Sequence, residues 1–140
     1  MVLDIPLTPR YPFRPLVLAV CLLLLATVPA ARAQAPDRYA APDIAYQNKD
    51  YATALRLWLG LADDGNTSAY FNLGRMYLFG EGVTIDPLEA YKWFTLADKG
   101  GVPQAKAGLA RLGPIMTTSD VTEARRRIER FYDSHPNLKR

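Results

Sequence analysis

The stretch of residues 69–100, AYFNLGRMYLFGEGVTIDPLEAYKWFTLADKG, carries the clearest indications of the fold. Its first half is followed by a break, Gly-Glu-Gly at residues 80–82, and then by a helix-start signature. There, Asp86 can accept hydrogen bonds from the free amides of a first helical turn, Pro87 fits that turn, and Glu89 can reach back. The stretch therefore predicts two consecutive helices, one ending near residue 79 and one running from residue 87 to about residue 99.

The segments on either side also predict helices. In residues 50–64 the apolar side chains follow a helical spacing and form one face, namely Tyr51, Ala54, Leu55, Trp58, Leu61 and Ala62. Gly65 supplies a left-handed stop, and Asn66 or Thr67 can cap the helix that follows. Shorter helices are predicted near residues 40–47 and 103–112. A last helix is predicted to begin at Thr117, with an inner face formed by Val121, Ala124, Ile128 and Phe131. No segment has a pattern that predicts a strand.

An internal repeat organises these helices. Trp58, Ala62 and Gly65 recur 35 residues later as Trp93, Ala97 and Gly100, and Ala69 and Leu73 recur 36 residues later as Ala105 and Leu109. Two such helices cannot bury both apolar faces alone, so stacked pairs must share one core. The sequence therefore predicts an all-α fold, a short right-handed solenoid of helix pairs with about five to six helices, in which both tryptophans are core residues.

The stretch 69–100 resembles one complete Sel-1-like repeat, a relative of the tetratricopeptide repeat. The resemblance rests on the glycine loop at residues 80–83, which is followed by Asp86. Residues 50–65 resemble the second half of a preceding repeat. Residues 102–131 resemble a degenerate following repeat, which lacks the glycine loop and has Phe131 in place of tryptophan. The resemblance implies a scaffold that holds other proteins through its helical surface, as in short secreted bacterial members of the family.

The first 33 residues read as a secretory signal peptide, with Arg10 and Arg14 before an apolar run and a small-residue pattern ending at Ala33. The alternative is an uncleaved membrane anchor, but the run is shorter than the roughly 20 residues that a span needs. We expect cleavage after Ala33 and a periplasmic or secreted product. The predicted layout is a lead-in at residues 34–49, a repeat domain at 50–133 and a polar tail at 134–140.

Charge and residue types argue against several kinds of chemistry. Cleavage would remove Arg10, Arg14, Arg32 and Asp4, leaving 14 of 17 basic and 13 of 14 acidic side chains, which is weak support for nucleic-acid binding. It would also remove Cys21, the only cysteine. Cys21 could instead mark a lipoprotein site. The lipoprotein peptidase needs a small residue before the cysteine, however, and Val20 is bulky.

No catalytic, cofactor-binding or metal-ligating residue is predicted. His135 is the only histidine, so a zinc site is improbable, and we expect its side chain to be solvated. The glycines at residues 80–82 precede no Lys-Ser/Thr pair, which argues against a phosphate-binding loop. The expected protein is therefore not an enzyme and carries no cofactor.

Two surfaces are candidates for partner contacts. If Leu73, Gly74 and Tyr77 face the core, the residues pointing elsewhere on the helix from residue 67 to 79 are Phe71, Asn72, Arg75 and Leu78, and Arg75 recurs 36 residues later as Arg111. The two arginines would suit an acidic segment or a chain-terminal carboxylate, because guanidinium binds carboxylate bidentately. The alternative is that they are ordinary surface arginines.

The second surface is the basic stretch Arg125, Arg126, Arg127 and Arg130 in the last helix. It could contact anionic lipid or nucleic acid. Acidic residues interleave it, however, and Glu123 can pair with Arg127 at i, i+4, so a solvated face is the favoured interpretation.

The expected function is non-enzymatic protein binding in the cell envelope, with a protein or peptide partner and no nucleic acid. After signal cleavage no stable membrane insertion is expected, and weak self-association through the exposed solenoid ends is a further expectation. The alternatives are a cell-wall-associated accessory protein or hydrolase, and a membrane-tethered adaptor.

The cleavage hypothesis makes a prediction about the exported chain. Its intact mass and N-terminal sequence should show a mature protein that begins at Gln34, because the pattern at residues 31–33 fits a signal peptidase. Retention of residues 1–33 on the exported chain would contradict cleavage and support the tethered adaptor.

Overall fold

The computed structural model describes residues 37–139, so the predicted signal peptide and Cys21 lie outside the described residues. It contains six α-helices: α1 (Ala41–Gln47), α2 (Tyr51–Asp63), α3 (Thr67–Phe79), α4 (Pro87–Lys99), α5 (Ala105–Leu112) and α6 (Thr118–Ser134). A 3₁₀ turn, Pro136–Leu138, follows α6. The described part of the chain has no strand, so the predicted all-α fold is confirmed. Within residues 37–139, no helix has both the length and the apolar character of a membrane span.

Most helix ends lie where the sequence places them, because local side chains fix them. Asp86 Oδ1 accepts hydrogen bonds from the amides of Leu88, at 2.9 Å, and Glu89, at 3.0 Å, and so caps α4. Asn66 Oδ1 accepts one from the amide of Ala69, at 2.9 Å, and caps α3. Gly65, between α2 and α3, adopts the left-handed conformation expected of it, with a φ of 84°.

Two details at helix starts differ from the prediction. The Glu89 side chain does not reach back to Asp86; it pairs with Lys92 and Arg127 instead. A reciprocal capping box occurs at α6, where Thr117 Oγ1 accepts from the Asp120 amide at 3.2 Å and Asp120 accepts from the Thr117 amide at 2.8 Å.

The helix α4 lies at the centre of the packing. The helices pack in order, α1 on α2, α2 on α3 and α3 on α4, and α4 then receives both α5 and α6. Within the described chain, α5 and α6 make no close backbone contact with each other. The helices α5 and α6 are therefore not packed on each other, and each packs mainly on α4.

Aromatic side chains join α3, α4 and α6 in the core. Trp58 and Trp93 are 3 % and 4 % exposed, which confirms both as core residues. The Trp93 ring stacks on Tyr70 at 5.8 Å between centroids and meets Phe131 edge-on at 5.5 Å. Phe131, which stands where the sequence pattern has a tryptophan, thus joins α6 to the aromatic core.

Two glycines allow helices to approach the fully buried ring of Phe94. A Cβ atom built on Gly74 of α3 would lie 2.7 Å from the nearest ring atom, and one built on Gly108 of α5 would also lie 2.7 Å from the ring. Neither position has room for a methyl group. Phe94 of α4 is therefore the point at which three helices meet.

The C-terminal segment folds back onto the turn between α2 and α3. The His135 ring stacks on Phe131 at 4.4 Å between centroids, and its Nε2 lies 3.3 Å from Asp63 Oδ1. The Leu138 side chain covers Gly65. Arg38, at the other end of the described chain, forms an ion pair with Asp64.

The expectation of a solvated His135 is therefore wrong. Its side chain is 23 % exposed, because the Phe131 ring and the Asp63 carboxylate offer it contacts that a free tail would lack. The residues predicted as a polar tail also include Leu138, an apolar side chain that packs partly against the core.

The basic stretch of α6 is largely engaged in ion pairs. Arg127 Nη1 lies 2.9 Å from Asp86 Oδ2 and 3.0 Å from Glu89 Oε1, which joins α6 to the start of α4. Glu123 pairs with Arg130 at 2.9 Å and Arg126 at 3.2 Å. The predicted pair of Glu123 with Arg127 is longer, at 3.9 Å, because α4 offers Arg127 two better-placed carboxylates.

We predict opposite effects on stability for two Gly→Ala substitutions. Gly74→Ala should lower the free energy of unfolding by roughly 1–3 kcal/mol, since the new methyl group overlaps the Phe94 ring. Gly60→Ala is the matched control, because a Cβ there meets no atom within 4 Å. It should raise stability by about 0.5–1 kcal/mol through helix propensity. Urea denaturation measures both, and equal effects would contradict the close approach of α3 to Phe94.

The Asp86 cap predicts a pH dependence of stability. Burial acts to raise the pKa of Asp86, but hydrogen bonds from the Glu89 amide and the Arg127 guanidinium outweigh it and lower this pKa below 3.8. The stabilisation is therefore complete above the unfolded-state pKa and is lost as pH falls through the lower folded-state pKa.

Asp86→Asn tests this dependence, because asparagine keeps the cap and loses the charge. It should cost about 0.5–1 kcal/mol at neutral pH, a figure discounted for partial exposure, and this cost should shrink as pH falls through the folded-state pKa of Asp86. Asp98→Asn, the same change outside this network, should show no such convergence. A cost for Asp86→Asn that is constant with pH would rule out the ionised pair as its source.

Candidate partner-binding site

An open groove lies between α1 and α3, and we call it the α1–α3 groove. It has a volume of about 340 Å³ and is lined by Tyr39, Asp43, Trp58, Leu61, Asn66, Ser68, Ala69 and Asn72. Trp58, Leu61 and Ala69 are buried and form its apolar floor. Asp43 and Ser68 are exposed at its rim, and so is Tyr39, which is 60 % exposed.

Of the predicted partner-binding residues, Asn72 is the one that lines this groove. It lies on α3, half-buried, one helical turn after Ser68. A side-chain amide can donate and accept hydrogen bonds at the same time, as a peptide backbone does. The placement of Asn72 therefore suits contacts with an extended chain.

The predicted contact residue Arg75 has a structural role as well. Its Nη2 donates a hydrogen bond to Tyr46 Oη at 2.9 Å, and its guanidinium carbon lies 5.4 Å from the centre of the Tyr46 ring. The Tyr46 hydroxyl in turn lies 2.8 Å from both carboxylate oxygens of Glu81. Arg75 thus connects α3 to α1 and, through Tyr46, to the glycine loop before α4.

The Tyr46 hydroxyl stays protonated in this cluster. Burial raises the pKa of Tyr46, the hydrogen bond to Glu81 raises it further, and the nearby charge of Arg75 opposes them. The hydroxyl therefore donates to Glu81 and accepts from Arg75. The repeat pattern predicted Arg75 but not Tyr46 and Glu81, because these two lie 35 residues apart and meet only in the folded chain.

The other predicted residues are separated from the groove. Phe71 and Leu78 are half-buried and pack against the core, and the Phe71 ring lies 5.8 Å from that of Phe94. These two side chains therefore contact the core with part of their surface, and their contact with a partner stays a prediction. Arg111 is exposed in the last turn of α5, on a different helix.

Arg111 lies in a part of the sequence that has basic residues and no acidic ones. Residues 99–119 contain Lys99, Lys106 and Arg111 but no aspartate or glutamate. All three side chains are exposed, and none takes part in an ion pair between described residues. Lys99 and Lys106 were not among the predicted contact residues, although the run of residues without an acid could have revealed them.

A second and larger cleft, of about 650 Å³, lies beside Tyr70 and is lined in part by Thr67, Lys99 and Tyr132. Burial raises the pKa of Tyr70 to about 12, so this hydroxyl stays protonated at neutral pH. Within residues 37–139 there is no group of three or more His, Cys, Asp or Glu side chains placed to hold a metal ion.

The region of α3 and α4 matches a known family. Residues 67–101 match the model of the Sel1 repeat family, which covers both helices and the glycine loop between them. No curated protein and no solved structure matches the chain. Sel1 repeats generally mediate protein–protein interactions and are not catalytic. Residues 67–101 are therefore similar to one Sel1 repeat, and the six helices around and within this segment are consistent with a helical repeat fold.

Proposed function

We propose that this protein is a non-catalytic protein-binding module of the cell envelope, which acts in the periplasm or outside the cell after removal of residues 1–33. The observation that carries the proposal is the α1–α3 groove, which opens directly beside the first helix of the matched Sel1 repeat. An apolar floor with polar groups around its rim is suited to holding a segment of another protein.

The binding face that we propose runs over α1, α3 and α5. Asn72 and Arg75 lie on its α3 part and Arg111 on its α5 part, while Phe71 and Leu78 support α3 from beneath. An acidic segment would bind at α5, because Lys106 and Arg111 are exposed there without a carboxylate nearby in the sequence. Arginine can hold a carboxylate by two parallel hydrogen bonds, which makes Arg111 the main contact.

Affinity capture from an envelope extract tests this function. The tagged mature chain should retain one or more partners, and Arg111→Glu should lower their recovery about tenfold, because a repulsive charge replaces a charge-assisted contact. Arg75→Glu should have a similar effect on partners that also contact α3.

A matched control separates binding from folding. Tyr46→Phe removes the hydroxyl that Arg75 and Glu81 share but leaves the charge of Arg75 in place. It should therefore retain the partners that Arg75→Glu loses. Recovery of the same partners by the wild type and both charge variants would exclude this face, and recovery of none by the wild type would count against the function itself.

A further inference from the structure

The charged side chain in the lining of the α1–α3 groove is acidic. Its lining contains one ionisable carboxylate, that of Asp43, and no lysine or arginine. The basic residue nearest in the sequence, Arg38, is paired with Asp64 instead. Asp43 takes part in none of the ion pairs between residues 37 and 139. The groove therefore presents an unneutralised negative charge at its rim.

The cation of Arg75, one turn further along α3, does not cancel this charge. Its guanidinium is hydrogen-bonded to Tyr46, which is itself bonded to the carboxylate of Glu81. The Arg75 guanidinium is thus held over the Tyr46 ring, and the Glu81 carboxylate bonds to the same Tyr46 hydroxyl. Asp43 and Arg75 belong to two separate clusters on the same face.

The floor and the polar groups of the groove define what fits beside that charge. Trp58 and Leu61 close the floor of the groove but are only 3 % and 5 % exposed, so an occupant contacts mainly the polar groups at the rim. The Asn72 amide and the Ser68 hydroxyl can bond to a peptide backbone. The Asn66 carbonyl is already used to cap α3, which leaves its NH₂ group as a further donor.

The size of the groove limits the occupant. Its volume of about 340 Å³ is at the small end of the roughly 300–1,000 Å³ of ligand sites. It has room for one long side chain with the backbone next to it, and not for a whole helix. An extended segment of a partner protein meets this limit.

We propose that the α1–α3 groove binds an extended segment of a partner protein through a lysine or arginine side chain, whose cationic head pairs with Asp43 at the rim, beside Ser68 and Asn72. This inference rests on the proposed protein-binding function. It gives the partner a basic contact at α1, in addition to the acidic contact proposed at α5.

Selection from a peptide library tests the charge preference even while the partner is unidentified. A phage-displayed library of random nine-residue peptides is selected on the purified chain, on Asp43→Asn and on Asp43→Lys. Peptides selected on the wild type should be enriched in lysine and arginine about fivefold over acidic residues, as a partly exposed ion pair gives. Asp43→Asn should remove this enrichment, and Asp43→Lys should reverse it.

Two control variants locate the effect. Asp98→Asn makes the same change of charge on α4, outside the groove, and should select the same basic peptides as the wild type. Asn72→Ala should weaken the binding of one selected peptide, measured by fluorescence anisotropy, without changing its preference for lysine over glutamine. Circular dichroism spectra that coincide with the wild type show that the variants are folded.

Three outcomes would overturn the inference: a wild-type pool that is neutral or acidic, a basic pool that Asp43→Asn selects equally well, or no enrichment at all. The proposed function has its own test in the capture of envelope partners. Captured partners together with a pool of the wrong charge would reject the basic contact at Asp43 and leave the protein-binding function standing.

Discussion

The close approach of three helices around the Phe94 ring is the constraint on which the rest of this structure depends. The ring is fully buried, and the backbones of Gly74 and Gly108 lie against it because neither carries a side chain. This contact sets the distance of α3 and α5 from α4. The orientation of α3 in turn places Asn72 beside α1 and Arg75 beside Tyr46, so the geometry of the candidate binding face follows from a packing contact within the matched repeat.

The sequence was sufficient for the helices and their order, because the signals that decide them are local. Asp86, Asn66 and Gly65 act within a few residues of their own positions, and the repeat of 35 to 36 residues locates the two tryptophans in the core. The partial burial of Phe71 was missed because it depends on a contact between two helices and not on a local signal. Helical spacing alone does not tell which flank of α3 is covered by the ring of Phe94.

The candidate site was predicted only in part, since its contacts join residues far apart in the chain. Arg127 meets Asp86 across 41 residues, and Tyr46 meets Glu81 across 35. Asp43 lies in a segment for which the sequence predicted no role, and only the packing of α1 brings it to the groove. Asn72 was predicted from helical spacing and Arg111 from the recurrence of Arg75, and their contact with a partner stays a prediction. The acidic charge that Asp43 adds to the proposed binding face became visible only with the helices in place.

Both ends of the described chain converge on the turn between α2 and α3. Arg38 pairs with Asp64, His135 contacts Asp63, and Leu138 covers Gly65. An ordinary solenoid is held by neighbour-to-neighbour contacts, and its terminal units fray independently. Here the first and last segments share one anchor, so the topology resembles a closed loop. Opening either end exposes the same turn, and we expect the amide protons of both ends to exchange with solvent as one cooperative unit.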